Sequence, residues 1–122
     1  VAHALAHAGV TALAVRDPDE ARREALVHAL GREYPELALS ITSGSSGDAD
    51  LIANCSPLGS RPSDPLPCKQ GELRGARVVV DLAFGGQSTP LLRAAAAEGC
   101  ATVCAYDVLA GQVDEIIDFI YG

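Results

Sequence analysis

The chain has 122 residues, 48% of them hydrophobic, with 9 Lys and Arg against 16 Asp and Glu and a formal charge of −7. That length supports one core and one domain, the acidic balance leaves no basic stripe for a nucleic-acid backbone, and no apolar run nears the roughly 20 residues that cross a bilayer. A cytoplasmic protein that binds neither nucleic acid nor membrane is expected, its oligomeric state left open, and the 4 cysteines, none in Cys-x-x-Cys spacing, read as reduced thiols.

Ala2 to Ala8 carries good helix formers, stops at Gly9 and has no capping residue before it, so it reads as a helix entered in mid-course rather than as a targeting leader. His3 and His7 share a helix face, but no third ligand lies near and no metal is expected. Thr11 to Val15 is a short apolar strand. Asp17-Pro18-Asp19 then turns into a second helix from about Asp19 to Glu33, with Ala21, Leu26, Ala29 and Leu30 on its apolar face and Arg22, Arg23, Glu24 and Arg32 on the wet one. Leu37, Leu39 and Ile41 alternate with Ala38, Ser40 and Thr42, the period of a half-buried edge strand. Ser43 to Gly47 is loop.

Leu51 to Ala53 and Val78 to Leu82 are uninterrupted apolar runs, the pattern of strands buried on both faces of a parallel sheet. Between them Pro57 to Gly75, with 4 prolines, is a structured loop with room for a turn of helix. Thr89 to Glu98 is a helix closed by Gly99, Ala101 to Ala105 a final strand, and Asp107 to Tyr121 a closing amphipathic helix built on Val108, Leu109, Ile116, Phe119 and Ile120. The alternation predicts an α/β fold, a Rossmann-like doubly wound parallel sheet. In strand order 3-2-1-4-5-6 the first strand is central. This sequence enters inside the first helix, so the sheet is expected to be incomplete, the first strand and its Gly-rich turn belonging to preceding chain; a vacant central position would leave costly unpaired backbone.

Open α/β sheets bind ligands beyond the carboxyl ends of their strands, which puts candidate contacts after Ala53 and after Asp81. Asn54 and Ser56 can hydrogen-bond a ribose or phosphate there, although Asn-Cys-Ser-Pro is also an ordinary strand exit. Asp17 has the spacing of the acidic residue that accepts both hydroxyls of an adenosine ribose. A carboxylate there repels a 2′-phosphate and favours NAD over NADP, while the same side chain can also serve as a turn or helix cap. Arg16 beside it can stack on adenine.

Asn54-Cys55-Ser56-Pro57-Leu58-Gly59 resembles the Asn-Ala-Thr-x-x-Gly-Met segment of the shikimate/quinate dehydrogenase family. Asp81-Leu82-Ala83-Phe84 and Thr89-Pro90-Leu91-Leu92 resemble that family's Asp-Leu-x-Tyr and Thr-Pro-Leu-Leu, and the likeness runs from Val1 to Gly122 in one register. The resemblance implies the cofactor half of an oxidoreductase that moves hydride reversibly between NAD or NADP and a ring alcohol or ketone of a cyclic polyol carboxylate, the shikimate/3-dehydroshikimate or quinate/3-dehydroquinate pair. It implies cofactor contacts at Arg16, Asp17, Asn54, Ser56, Leu82 and Ala105, the last standing where the family has a glycine beside nicotinamide, and substrate contacts at Phe84 and Gln112. NADP-using members carry Asn-Arg-Thr where this chain has Val15-Arg16-Asp17, so the arginine that would face a 2′-phosphate is kept. Phe84 replaces a tyrosine, and Asp107 replaces a second small residue of the nicotinamide turn. The family's catalytic lysine and aspartate belong to an N-terminal substrate domain, and Lys69, the only lysine, aligns with neither; no catalytic residue is assigned, and the chain alone is expected to be inactive. The alternative is a non-catalytic dinucleotide-binding or regulatory module on the same fold.

Overall fold

The computed structural model describes residues 1–42 and 49–121; the loop expected at Ser43 to Gly47 lies outside them. The elements in chain order are α1 (Ala2–His7), β1 (Ala12–Val15), α2 (Glu20–Glu33), β2 (Ala38–Ile41), β3 (Leu51–Asn54), α3 (Gln70–Leu73), β4 (Val78–Asp81), α4 (Pro90–Ala97), β5 (Ala101–Cys104) and α5 (Ala105–Tyr121). All strand pairing is parallel, in two sheets of order β1-β2 and β3-β4-β5. The chain divides into two compact units, Val1–Ser46 and Gly47–Gly122. Among the described residues no helix is long and apolar enough to cross a membrane.

In the first unit, Ala12 pairs with Ala38 and Val15 with Ile41. The turn into α2 is fixed by side chains: Asp19 is the N-cap and accepts from the Arg22 N–H at 3.0 Å, satisfying a donor that the first helical turn leaves open. α1 ends at Gly9, whose φ of +90° is the left-handed conformation that a helix stop requires. His3 Nδ1 sits 3.1 Å from a carboxylate oxygen of Glu33. Burial is thin. Among the described residues of this unit only Ala6, Val15 and Leu30 are buried apolar residues. The apolar face expected on α2 reduces to Leu30 fully covered and Leu26 half-buried, with Ala21 and Ala29 exposed, and in β2 the alternation holds at Leu39 but fails at Ile41, which is exposed. Arg23, expected on the wet face, is half-buried and curls back to donate to the Asp17 carbonyl at 3.0 Å.

The second unit carries the core. Leu73, Ala76, Val79, Leu91, Leu92, Ala95, Cys100 and Cys104 cluster there, with Ile52, Leu66, Cys68 and Ala94 packed against them. Thr89 caps α4 by accepting from the Leu92 N–H at 3.2 Å, and Pro90 occupies the first turn, where its missing N–H costs nothing. Glu72 starts α3 by accepting from the Lys69 N–H at 2.6 Å, the carboxylate half of a capping box. α5 begins two residues before the position read from sequence, because Asp107 accepts from the Cys104 N–H at 2.9 Å and caps the helix from within. Its apolar residues do not enter the core: Leu109, Ile116, Phe119 and Ile120 are exposed and Val108 is half-buried. Amphipathicity identified the apolar face correctly but not its cover. All four cysteines are free thiols.

Candidate functional site

The register of the three-stranded sheet aligns Asn54, Asp81 and Cys104, the last residues of β3, β4 and β5. Two loops and the first turn of α5 therefore leave side by side from one carboxyl edge, the position where parallel α/β sheets hold their ligands. Cys55 and Ser56 follow the first strand, Leu82 to Phe84 the second, and Ala105 to Asp107 the third.

One buried network joins the first two exits. The Asp81 carboxylate is fully buried. Its Oδ1 accepts from Asn54 Nδ2 at 2.8 Å and from the Ala83 N–H at 3.0 Å, and its Oδ2 accepts from the Thr89 hydroxyl at 2.5 Å. Asn54, 6% exposed, donates also to the Leu58 carbonyl at 2.9 Å, and its Oδ1 accepts from the Ser56 N–H at 3.1 Å and the Ser56 hydroxyl at 2.7 Å. A carboxamide has two hydrogens to donate and one oxygen with two lone pairs, so this side chain is fully engaged inside the protein. Asn54 builds the loop; it presents no open amide to a ligand. Gly59 closes the same loop with φ +93°, its N–H held by Asp64 at 3.2 Å.

Ser56 is half-buried and also accepts from the Leu58 N–H at 3.3 Å. Leu82 is half-buried and continues the ladder by donating to the Asn54 carbonyl at 2.9 Å. Phe84 is 67% exposed, and its ring meets that of Tyr106 edge-on, with centroids 6.4 Å apart and planes at 87°. Ala105 is buried as the first residue of α5. Gln112 is exposed on α5, about two turns beyond Ala105, and lines a shallow depression with Ile116, Phe119 and Ile120.

Arg16 and Asp17 follow β1 in the first unit. Arg16 is exposed. Asp17 is half-buried, and its Oδ1 accepts from the Asp19 N–H at 2.8 Å; no described residue bonds its other oxygen. Turn-building and an open acceptor thus coexist in one carboxylate.

One residue, Tyr106, and one role, the capping by Asp107, escaped the sequence reading. Tyr106 belongs to no motif, and only the loop arrangement brings its ring to Phe84. Asp107 was legible in principle as an acid three residues past a helix cap; the Cys104 N–H holds its carboxyl below the usual range. Desolvation pushes the Cys55 thiol up, away from the thiolate that a nucleophile would need.

No family model matches the chain. It is 36% identical over 107 residues to the shikimate dehydrogenase (NADP(+)) of Rubrobacter xylanophilus, covering 84% of this chain and 38% of that protein. Against the shikimate dehydrogenase (NADP(+)) of Archaeoglobus fulgidus it is 31% identical over 113 residues, covering 89% and 41%. The chain thus spans well under two thirds of these relatives, matching their C-terminal portions. Among solved structures, quinate dehydrogenase from Corynebacterium glutamicum in complex with NAD matches with a TM-score of 0.75 at 28% identity, over 88% of this chain and 40% of that one. The ligand-free 5-ketofructose reductase of Gluconobacter sp. strain CHM43 matches with a TM-score of 0.76 at 24% identity, over 89% and 41%, a likeness of fold. The parallel α/β arrangement is Rossmann-like.

Proposed function

The chain belongs to the shikimate/quinate dehydrogenase family over the C-terminal portion of its members, and from that premise we propose that it forms the nicotinamide-dinucleotide half of an oxidoreductase acting on a cyclic polyol carboxylate. The observation that carries the reading is the shared carboxyl edge at Asn54, Asp81 and Cys104. Each unit by itself carries groups suited to part of a dinucleotide. Asp17 keeps an acceptor oxygen for a ribose diol, and small or half-buried side chains, Ser56, Leu82 and Ala105, leave strand ends approachable by a flat ring.

Bound there, nicotinamide supplies the hydride chemistry. Asp17 accepts the ribose hydroxyls and opposes a 2′-phosphate, which favours NAD, the cofactor of the solved quinate dehydrogenase; Arg16 favours NADP, the cofactor in the relatives' names. The Ser56 hydroxyl, whose hydrogen goes to Asn54, keeps acceptor capacity for a ribose hydroxyl, and Asn54 acts by holding Ser56. Leu82 and Ala105 would line the nicotinamide site. Gln112 bonds a substrate hydroxyl, and the hydroxyl missing at Phe84 is supplied by the neighbouring ring of Tyr106. Proton transfer falls to a lysine and an aspartate of a substrate domain outside these residues.

Asp17→Ala in the complete protein removes a charged acceptor worth about 1.5 to 3 kcal/mol, so the NAD/NADP ratio of kcat/KM should shift at least about tenfold toward NADP; an unchanged ratio assigns Asp17 to the turn alone. Gln112→Ala should raise KM for shikimate or quinate and leave dinucleotide affinity intact. Dinucleotide binding with no turnover of either alcohol would move the non-catalytic module ahead.

A further inference from the structure

Asp81 is a carboxylate with no exposed surface, and no cation pairs with it among the described residues. Burying such a group is costly unless hydrogen bonds replace its water. Here they come from three segments: Asn54 at the end of β3, Ala83 in the loop after β4, and Thr89 at the start of α4. Above the carboxylate two backbones nearly touch, since a Cβ on Gly85 would lie 3.1 Å from the Gly59 carbonyl oxygen. Loops 55–60 and 82–88 are therefore set against each other and against α4 by one side chain. Ser56 hangs from that network through Asn54, and Leu82 and Phe84 follow Asp81 directly.

We propose that Asp81 is the positioning residue of the dinucleotide edge, fixing loops 55–60 and 82–88 as one unit, and that Thr89, itself fully buried, determines cofactor affinity only through it. This rests on the dinucleotide reading above. All three partners of Asp81 are donors, so Asp81→Asn keeps the shape and opposes one of them with an amide hydrogen. Thr89→Val removes the hydroxyl and keeps the volume. Leu91→Ala, in the same core and outside the network, is the control for general destabilisation.

The test is dissociation of NAD and NADP from the complete protein, measured with thermal melting and amide hydrogen exchange. Asp81→Asn and Thr89→Val should each weaken binding by about tenfold or more, with faster exchange in both loops together, and Thr89→Ser should restore the parental affinity. Leu91→Ala should lower Tm at least as far while holding affinity within about twofold below its melting range. Affinity that tracks Tm across all variants, or an Asp81→Asn protein that binds like the parent, overturns the positioning role. A parent that binds neither dinucleotide overturns the functional reading instead, and this proposal with it.

Discussion

The two sheets follow the same parallel plan and share the same quality of local punctuation, yet differ in what their side chains cover. Asp19 caps α2 as competently as Thr89 caps α4. Among the described residues of the first unit only Val15, Leu30 and Ala6 are buried apolar residues, whereas β3, β4 and β5 lie on a continuous cluster from Leu73 to Cys104. Caps decide where a helix begins; burial decides whether the assembly holds, and two strands offer too little face to build a stable core.

The largest expected effect tests that contrast directly. Leu91→Ala empties a fully buried position in the second unit and should cost about 2 to 5 kcal/mol, read as a lower urea midpoint at unchanged slope. Leu30→Ala removes an equally buried side chain in the first unit, but its exposed surroundings can close on the gap, so its cost should lie near the lower bound, about 2 kcal/mol. In the parent, amides of 38–41 should exchange before those of 78–81; equal protection and equal costs would erase the difference. Removing the cap by Asp19→Ala should cost about 1 kcal/mol and speed exchange only in the first turn of α2. A global loss of larger size would mean that the cap supports packing as well.

The smallest effect lies in acid. Asp107 bonds the Cys104 N–H as a carboxylate, and its folded pKa is lowered by that bond. Its contribution is therefore complete above the ordinary carboxylate pKa and fades as pH falls through the lowered value. Asp107→Asn should flatten this acid limb of the stability curve, slightly, since the side chain is exposed. An acid limb identical in both proteins would remove Asp107 as the cap of α5.

Every element but α3, expected only as a turn of helix somewhere between Pro57 and Gly75, was legible within a residue or two, because strong breakers bound them: Gly9, the Asp17-Pro18-Asp19 turn, Thr89-Pro90 and Gly99. Burial was legible only in part where apolar residues run together: Val79 is buried, but Val78 and Val80 are half-buried, and so are Leu51 to Ala53, which were expected to be covered on both faces. On α5 the periodicity of Leu109, Ile116 and Ile120 is that of a packed face, but a pattern carries no information about its neighbour. At the site, the strand exit at Asn54 was readable and its use was not: whether a carboxamide faces a ligand or its own loop depends on Asp81, 27 residues away, which no local rule connects to it. Tyr106 fails for the same reason, since its meaning lies in the ring of Phe84.

The near-contact of Gly85 with the Gly59 carbonyl has a consequence for variation. With 3.1 Å available, any side chain at residue 85 requires the Gly59 carbonyl to give slightly, and at 3.4 Å the Thr89 methyl is already in van der Waals contact. In a saturation library residue 85 should accept little besides glycine while Gly86, with open space around it, fails only through its φ of +97°, which asparagine partly tolerates. Length changes in either loop alone should be lethal to folding of that edge, and compensated double changes should survive, so the two loops would drift through sequence space as a single heritable piece.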